Sequence, residues 1–104
     1  MLKKKIRPKN KTLYAVTAGD YLGKFLLFIN YNKEKDTHDT LAIGEGRELN
    51  AGGFSAMEIP HKAFVEGVEN KIIEKVDKVS KTMYNLLYKQ WEFEKNKGKD
   101  ESNN

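Results

Sequence analysis

The chain contains no cysteine among its 104 residues. This absence excludes disulfide bonds, thiolate nucleophiles and cysteine-ligated metal sites, and it is typical of a cytoplasmic protein. Long apolar runs are also missing, because the longest covers only the five residues 25–29, whereas a membrane-spanning helix needs about 18. No apolar segment of the signal-peptide kind follows the basic start. We therefore expect a cytoplasmic protein that does not enter a membrane.

Motifs for catalysis are equally scarce. Histidine occurs only as His38 and His61, and no His-Glu-x-x-His pair is present. Ser55 and Ser80 have no evident base and no nucleophile-elbow sequence around them. The carboxylates are scattered, and a few ligands on one polar loop, such as Asp36 and His38, seldom form a preorganised metal site. We expect no enzyme activity, no cofactor and no metal.

Acidic side chains are absent from the N-terminal arm, residues 1–11. Six of the 19 basic side chains lie there, so the other 93 residues hold 13 basic and 15 acidic ones. The positive charge thus belongs to a short arm and not to the folded body. The arm is either a solvated start or a surface for a polyanion such as nucleic acid. The candidate polyanion contacts are Lys3, Lys4, Lys5, Arg7, Lys9 and Lys11.

Strand signals occupy the first half of a single domain that we place at residues 12–97. Residues 12–17 are rich in β-branched and aromatic side chains and predict a strand. Residues 24–31 are apolar at both alternating sets of positions, which predicts a central strand buried on each face. On that strand we expect one face to carry Phe25, Leu27, Ile29 and Tyr31. Residues 40–43 are predicted to return as its partner after a solvated connection over residues 32–39.

Helix signals occupy the second half. Pro60 predicts a helix start and Gly67 a left-handed cap, which gives a short helix over residues 61–66. Residues 71–79 fit a strand by their β-branched content and a helix by their 4-3 apolar spacing, and the strand is slightly favoured. Ser80 can cap a new helix that ends near residue 97, before a polar tail at residues 98–104 that we expect to be disordered.

Together these elements predict an α+β fold. A small bent antiparallel sheet, with an SH3-like partial barrel as one form it could take, would pack against a short helix and a long C-terminal helix. At about 100° per residue, the apolar arc of that long helix is roughly 220° wide, against the ~100° that one core contact requires. The excess is covered either by the domain itself or by a partner or second copy. The candidate partner-binding residues are Tyr88, Trp91 and Phe93, since aromatic anchors are enriched at interfaces.

A glycine-rich segment spans residues 44–54. Successive glycines can present backbone N–H groups to an anion, and an arginine lies among them. The segment matches neither the phosphate-binding loop pattern nor the dinucleotide fingerprint, so a flexible β-connection is the default interpretation. The alternative is an anion loop that sequesters a small nucleotide. Its candidate residues are Gly44, Gly46, Arg47, Gly52 and Gly53.

Four strings of the sequence are distinctive: RPKNKTLY, GDYLGKF, FVEGVENKIIE and the final MYN…YKQWE. In these strings the chain resembles a group of small, poorly characterised proteins of staphylococcal temperate phages. The similarity covers about three-quarters of the chain and leaves out the glycine-rich segment. It carries no catalytic residue, and it implies a phage accessory protein that acts in the host cytoplasm.

The expected function is therefore non-enzymatic binding that inhibits or redirects a host protein, for example as an anti-defence factor. Small phage proteins often act by stoichiometric binding, and a homo-oligomer is compatible with the broad apolar helix. Two alternatives remain open. One is accessory nucleic-acid binding through the N-terminal arm, and the other is sequestration of a small anionic nucleotide.

Overall fold

The computed structural model describes residues 6–19, 21–44 and 53–102, with side chains up to residue 97. In this part of the chain, one antiparallel sheet of five strands has the order β4-β3-β2-β1-β5. The α+β class, with an antiparallel sheet, a short helix and a long C-terminal helix, is confirmed. The SH3-like barrel stays only a suggestion, because β4 and β5 lie at the two edges of a single sheet. The elements in chain order are β1 (Thr12–Val16), β2 (Phe25–Asn32), β3 (Thr37–Ile43), β4 (Phe54–Pro60), α1 (His61–Glu69), β5 (Ile73–Lys78) and α2 (Lys81–Ser102).

Helix α1 covers one face of the sheet. Its Phe64 is 1% exposed and meets the ring of Phe28 edge-on at 5.0 Å and that of Tyr14 at 5.6 Å. Such edge-to-face contacts add to the free energy gained from burying the rings. The buried members of this first core are Tyr14, Val16, Leu26, Phe28, Ala42 and Phe64.

Helix α2 covers the opposite face through Trp91, which is 4% exposed. This second core takes Leu27 of β2, whereas the first core takes its neighbours Leu26 and Phe28. Strand β2 is therefore buried on both faces, as its sequence predicts. The buried members of the second core are Leu27, Leu41, Ile43 and Trp91.

A β-bulge at Ile29 corrects the predicted direction of Tyr31. Phe28 pairs with Thr40 and Asn30 with Asp39, so Ile29 is an extra residue on β2. The insertion reverses the alternation beyond it. Tyr31 consequently pairs with His38 and lies on the face of the first core. Simple alternation predicts that it lies on the same face as Leu27, and this prediction is wrong.

The polar connection predicted for residues 32–39 is shorter than expected, because β3 already begins at Thr37. His38 is 6% exposed, which the polar composition of this segment had argued against. Strand β4 was not predicted at all. It pairs with β3 from Phe54 to Pro60, and that pairing is a long-range contact that local sequence does not reveal.

Gly67 lies inside α1 and is not its left-handed cap. The helix starts at His61 as predicted but ends at Glu69, and the left-handed residue is Lys71, with a φ of 61°. A Cβ at Gly67 would come within 2.5 Å of Cδ1 of Ile73. The glycine thus allows β5 to approach the helix closely, whereas the predicted role was a left-handed helix cap.

The strand interpretation of residues 71–79 is correct for Ile73–Lys78, and a new helix follows. Ser80 Oγ accepts a hydrogen bond from the N–H of Met83 at 3.0 Å, as expected for an N-cap. Helix α2 continues to Ser102 and does not end near residue 97. A single internal glycine, Gly98, costs only about 1 kcal/mol relative to alanine and does not stop a helix by itself.

We predict that Gly67→Ala destabilises the domain by about 1–3 kcal/mol, because the new methyl group overlaps Ile73. The helix propensity gain of about 1 kcal/mol is too small to offset this overlap. Chemical denaturation measures the change, with Lys62→Ala on the exposed side of α1 as a control within about 0.5 kcal/mol of wild type. Ile73→Val should recover part of the loss in the double variant. A more stable Gly67→Ala variant would contradict the close approach.

Candidate functional site

Three large apolar side chains of α2 face solvent: Met83, Leu86 and Phe93, which are 48%, 58% and 60% exposed. At about 100° per residue they fall within an arc of roughly 80°, and we call them the outer stripe. The side of α2 that packs on the second core carries Tyr84, Leu87, Tyr88 and Trp91. The apolar arc of the helix is therefore divided into a covered part and an uncovered part.

This division separates the three predicted partner-binding residues. Trp91 belongs to the second core, with the Lys95 ammonium 4.7 Å from its ring centroid. Tyr88 is half-buried and meets Trp91 edge-on at 5.5 Å. Only Phe93 faces solvent. The sequence placed Leu86 beside Phe93 on the helix, but it did not show which part of the broad arc meets the sheet.

The described end of the N-terminal arm is held against the domain. Ile6 packs on the first core, and the N–H of Lys9 donates to the Tyr14 hydroxyl at 2.9 Å. The N–H of Val79 donates to the carbonyl of Lys11 at 2.8 Å. Residues 6–11 therefore have fixed neighbours, while the predicted contacts Lys3, Lys4 and Lys5 lie outside the described residues.

The basic side chains of this segment point to two places. Arg7 and Lys9 line a cavity on the side of the first core, whereas the Lys11 ammonium lies 5.6 Å from the ring centroid of Tyr84, which packs with α2. Polyanion contact by these residues stays a prediction. Its described members have different neighbours, with Arg7 and Lys9 at the cavity and Lys11 at Tyr84.

The two histidines, which the sequence set apart, meet beside this cavity. His38 Nε2 and His61 Nδ1 lie 2.9 Å apart. Strand β3 supplies His38, and His61 begins α1, where its backbone N–H donates to the carbonyl of Asp36 at 2.9 Å. In either tautomer one N–H is used inside the pair, so a neutral pair keeps one further N–H and one acceptor nitrogen.

Burial lowers the pKa of His38, and the charge of His61 lowers it further, while Asp36 and Asp39 oppose the shift. The Tyr31 hydroxyl donates a hydrogen bond to Oδ1 of Asp36. That bond raises the pKa of Tyr31, and Arg7 acts in the opposite direction. Burial therefore favours the neutral form of His38.

The cavity has a volume of about 290 Å³, and we call it the histidine cavity. Its walls combine cationic, aromatic and amide side chains, and no Asp or Glu of the described residues lines it. Within the same described part of the chain, no group of three or more His, Cys, Asp or Glu side chains is placed to hold a metal ion. The lining residues are Arg7, Pro8, Lys9, Asn10, Phe28, Ile29, Asn30, Tyr31, His38 and His61.

Sequence reasoning missed this constellation for identifiable reasons. The sequence predicts His38 in a polar connection and Tyr31 on the opposite face of β2, so it brings neither residue beside His61. The Pro60 signal placed His61 correctly at the start of a helix. What local sequence lacked was the bulge at Ile29 and the pairing of β3 with β4.

The glycine-rich segment is described only at its ends. Gly44 and Gly53 are joined by a hydrogen bond from the N–H of Gly44 to the carbonyl of Gly53, at 2.7 Å. That bond continues the pairing of β3 with β4. The remaining anion-loop candidates, Gly46, Arg47 and Gly52, lie outside the described residues, and binding of an anion there stays a prediction.

We predict that Trp91→Ala and Phe93→Ala have very different effects on stability. Removing the buried indole of Trp91 should cost about 3–5 kcal/mol. Removing the exposed ring of Phe93 should change the free energy of unfolding by no more than about 0.5 kcal/mol. Urea denaturation of the two variants measures both values. Equal losses would show that the outer stripe is sheltered in solution.

We predict that acid destabilises the domain through His38. Because the folded state lowers the pKa of this residue, the unfolded state binds more protons once the pH falls below the ordinary value of about 6.5. Stability should decline from about that pH until the lowered pKa is passed. His38→Gln should flatten this part of the stability curve, as measured by denaturation between about pH 7.5 and 5.5. Parallel curves for variant and wild type would refute the assignment.

No helix of the described residues combines the length and the hydropathy needed to cross a bilayer. Comparison with protein-family models, with curated protein sequences and with solved structures finds no match to this chain. The similarity to staphylococcal phage proteins therefore stays a prediction from sequence. The outer stripe and the histidine cavity are the two candidate sites of the described residues.

Proposed function

We propose that the chain is a small, non-enzymatic binding protein that docks on a partner protein through the outer stripe of α2. The observation that supports this function is the exposure of Met83, Leu86 and Phe93, each about half or more, on one side of a single helix. Single exposed apolar residues are common on soluble proteins, but three large ones on one side of a single helix are more typical of an interaction surface.

The spacing of the stripe suits recognition of a helix by a groove. Met83 and Leu86 are three residues apart, and Leu86 and Phe93 are seven apart, which matches the anchor positions of amphipathic helices that bind in grooves. From Met83 to Phe93 the helix rises about 15 Å. The outer stripe is therefore long enough for several anchors to enter one groove.

Charged side chains beside the stripe indicate the chemistry of the partner surface. Lys89 and Lys97 are exposed, and at about 100° per residue they fall within roughly 40° of Phe93. An apolar centre with a polar rim is the usual anatomy of an interface. We infer that the partner presents an apolar groove with an acidic rim, which would attract these lysines and orient the encounter.

The resemblance to staphylococcal phage proteins supplies the biological part of the proposal. It suggests that the partner is a host protein, and that binding inhibits or redirects it in the host cytoplasm, for example to counter a defence system. Stoichiometric binding requires no catalytic group, in keeping with the scarcity of catalytic motifs in the sequence. A second copy of the chain is the competing occupant of the stripe.

The deciding experiment compares two double variants that add the same charge to α2. Leu86→Lys with Phe93→Lys places two lysines in the outer stripe, and Asn85→Lys with Asn96→Lys places them elsewhere on the exposed helix. We expect the stripe variant to lose at least about tenfold in affinity for a partner captured from staphylococcal lysate and then purified, because each charge must be desolvated in an apolar groove.

The control variant should keep the wild-type affinity, and both variants should unfold at the wild-type denaturant concentration. Equal affinities for the two double variants would refute the stripe as the binding surface. Sedimentation of the purified chain tests whether a second copy of the chain occupies the outer stripe, because it measures the oligomeric state. A dimer that only the stripe variant dissociates would assign the surface to a second copy and overturn the host-partner proposal.

A further inference from the structure

The histidine cavity lies on the opposite side of the sheet from α2 and has no part in the docking surface. We propose that it binds a small phosphate-bearing nucleotide. Arg7 and Lys9 would contact the phosphate, and the aromatic wall around Tyr31 would contact the base. This would be a second binding site, and none of its lining residues belongs to the outer stripe.

The cationic residues of the cavity wall favour binding of a phosphate. Arg7 and Lys9 both line the cavity, and no described carboxylate does. Guanidinium and ammonium groups bind phosphate oxygens through charge-assisted hydrogen bonds, which are stronger than neutral ones. Asp36 stands near the pair, but it accepts a hydrogen bond from the Tyr31 hydroxyl and is not part of the lining.

The backbone that carries these two cations is held in place by the fold. Ile6 packs on the first core beside Arg7, and the backbone N–H of Lys9 is bonded to the hydroxyl of the buried Tyr14. The segment therefore has its backbone ordered before a ligand arrives. A prearranged site loses less conformational entropy on binding than a free arm would.

The aromatic wall supports the base. Tyr31 is 52% exposed, and its ring centroid lies 5.0 Å from that of His38 and 6.2 Å from that of His61. Phe28 completes this wall. Planar bases stack on such rings with little preference for sequence, because every base has a π-face. The bulge at Ile29 is what brings Tyr31 to this side.

Polar groups that could bind the edges of a base or a ribose are also present. Asn10 and Asn30 line the cavity, and the pair of His38 and His61 keeps one ring nitrogen of each residue, His38 Nδ1 and His61 Nε2, outside its own hydrogen bond. A largely apolar wall with a few polar groups is the usual composition of a small-molecule site.

The volume limits the ligand. At about 290 Å³, the cavity is at the lower end of the range of roughly 300–1,000 Å³ found for small-molecule sites. One nucleotide is therefore the appropriate size class, and adenosine 5′-monophosphate is a suitable probe. Adenosine tests the contact of the base with the aromatic wall alone, and inorganic phosphate tests the contact of the phosphate with Arg7 and Lys9 alone.

The experiment measures binding of these three probes to the full chain by calorimetry, with histidine ring signals followed by NMR. We expect saturable binding of adenosine 5′-monophosphate that shifts the ring signals of His38 and His61. Adenosine and inorganic phosphate should each bind more weakly. Arg7→Gln, Lys9→Gln and Tyr31→Leu should each weaken binding of the monophosphate by about tenfold, the loss expected for a charge-assisted bond or a stacked ring.

The matched control is Lys89→Gln, which removes the same charge from the exposed side of α2. It should leave the affinity unchanged. Equal weakening by Lys9→Gln and Lys89→Gln would show general charge attraction and overturn the site. Inorganic phosphate that binds as tightly as the monophosphate would overturn the role of the ring. Absence of saturable binding by any probe would overturn the proposal as a whole. Because Arg7, Lys9 and Tyr31 are exposed, their variants should keep the wild-type unfolding midpoint.

Discussion

Strand β2 carries apolar side chains on both faces, and each face needs its own cover to exclude water. Leu26 and Phe28 meet Phe64 of α1, and Leu27 meets Trp91 of α2 through the second core. A sheet with one helix would leave half of this strand in water. The position of α2 follows from this requirement, and so does the division of its apolar arc. One side of the apolar arc of α2 packs on the second core, and the other side, the outer stripe, stays exposed.

Two small departures from regular structure connect this core to the proposed sites. The extra residue Ile29 in β2 turns Tyr31 towards His38. Without it, the phenol would face the second core and the histidine cavity would lose its exposed ring. Gly67 has a comparable effect on α1, because its missing side chain lets Ile73 of β5 come close. The helix that carries His61 is therefore set by packing far from the cavity.

The parts of the fold that could be predicted are those with local causes. The two-sided apolar pattern of β2, Pro60 before α1 and the Ser80 cap of α2 each reflect interactions within a few residues. Strand β4 and the burial of His38 depend on pairing between distant segments. Local composition therefore does not predict the strand, and it wrongly predicts that His38 is exposed. Gly67 shows a different limit. A glycine that ends a helix and one that admits a neighbour look the same in a sequence.

The two proposed sites lie on opposite faces, yet one segment connects the cavity to the start of the helix that carries the outer stripe. Arg7 and Lys9 line the histidine cavity, and the carbonyl of Lys11 accepts a hydrogen bond from Val79, just before α2. Any coupling between the sites through this segment is limited by what its contacts are worth. A backbone hydrogen bond contributes about 0.5–1.5 kcal/mol net, which corresponds to a change in affinity of about twofold to tenfold. A nucleotide in the cavity would therefore change the affinity of docking by α2 by no more than about tenfold, which would tune docking without switching it.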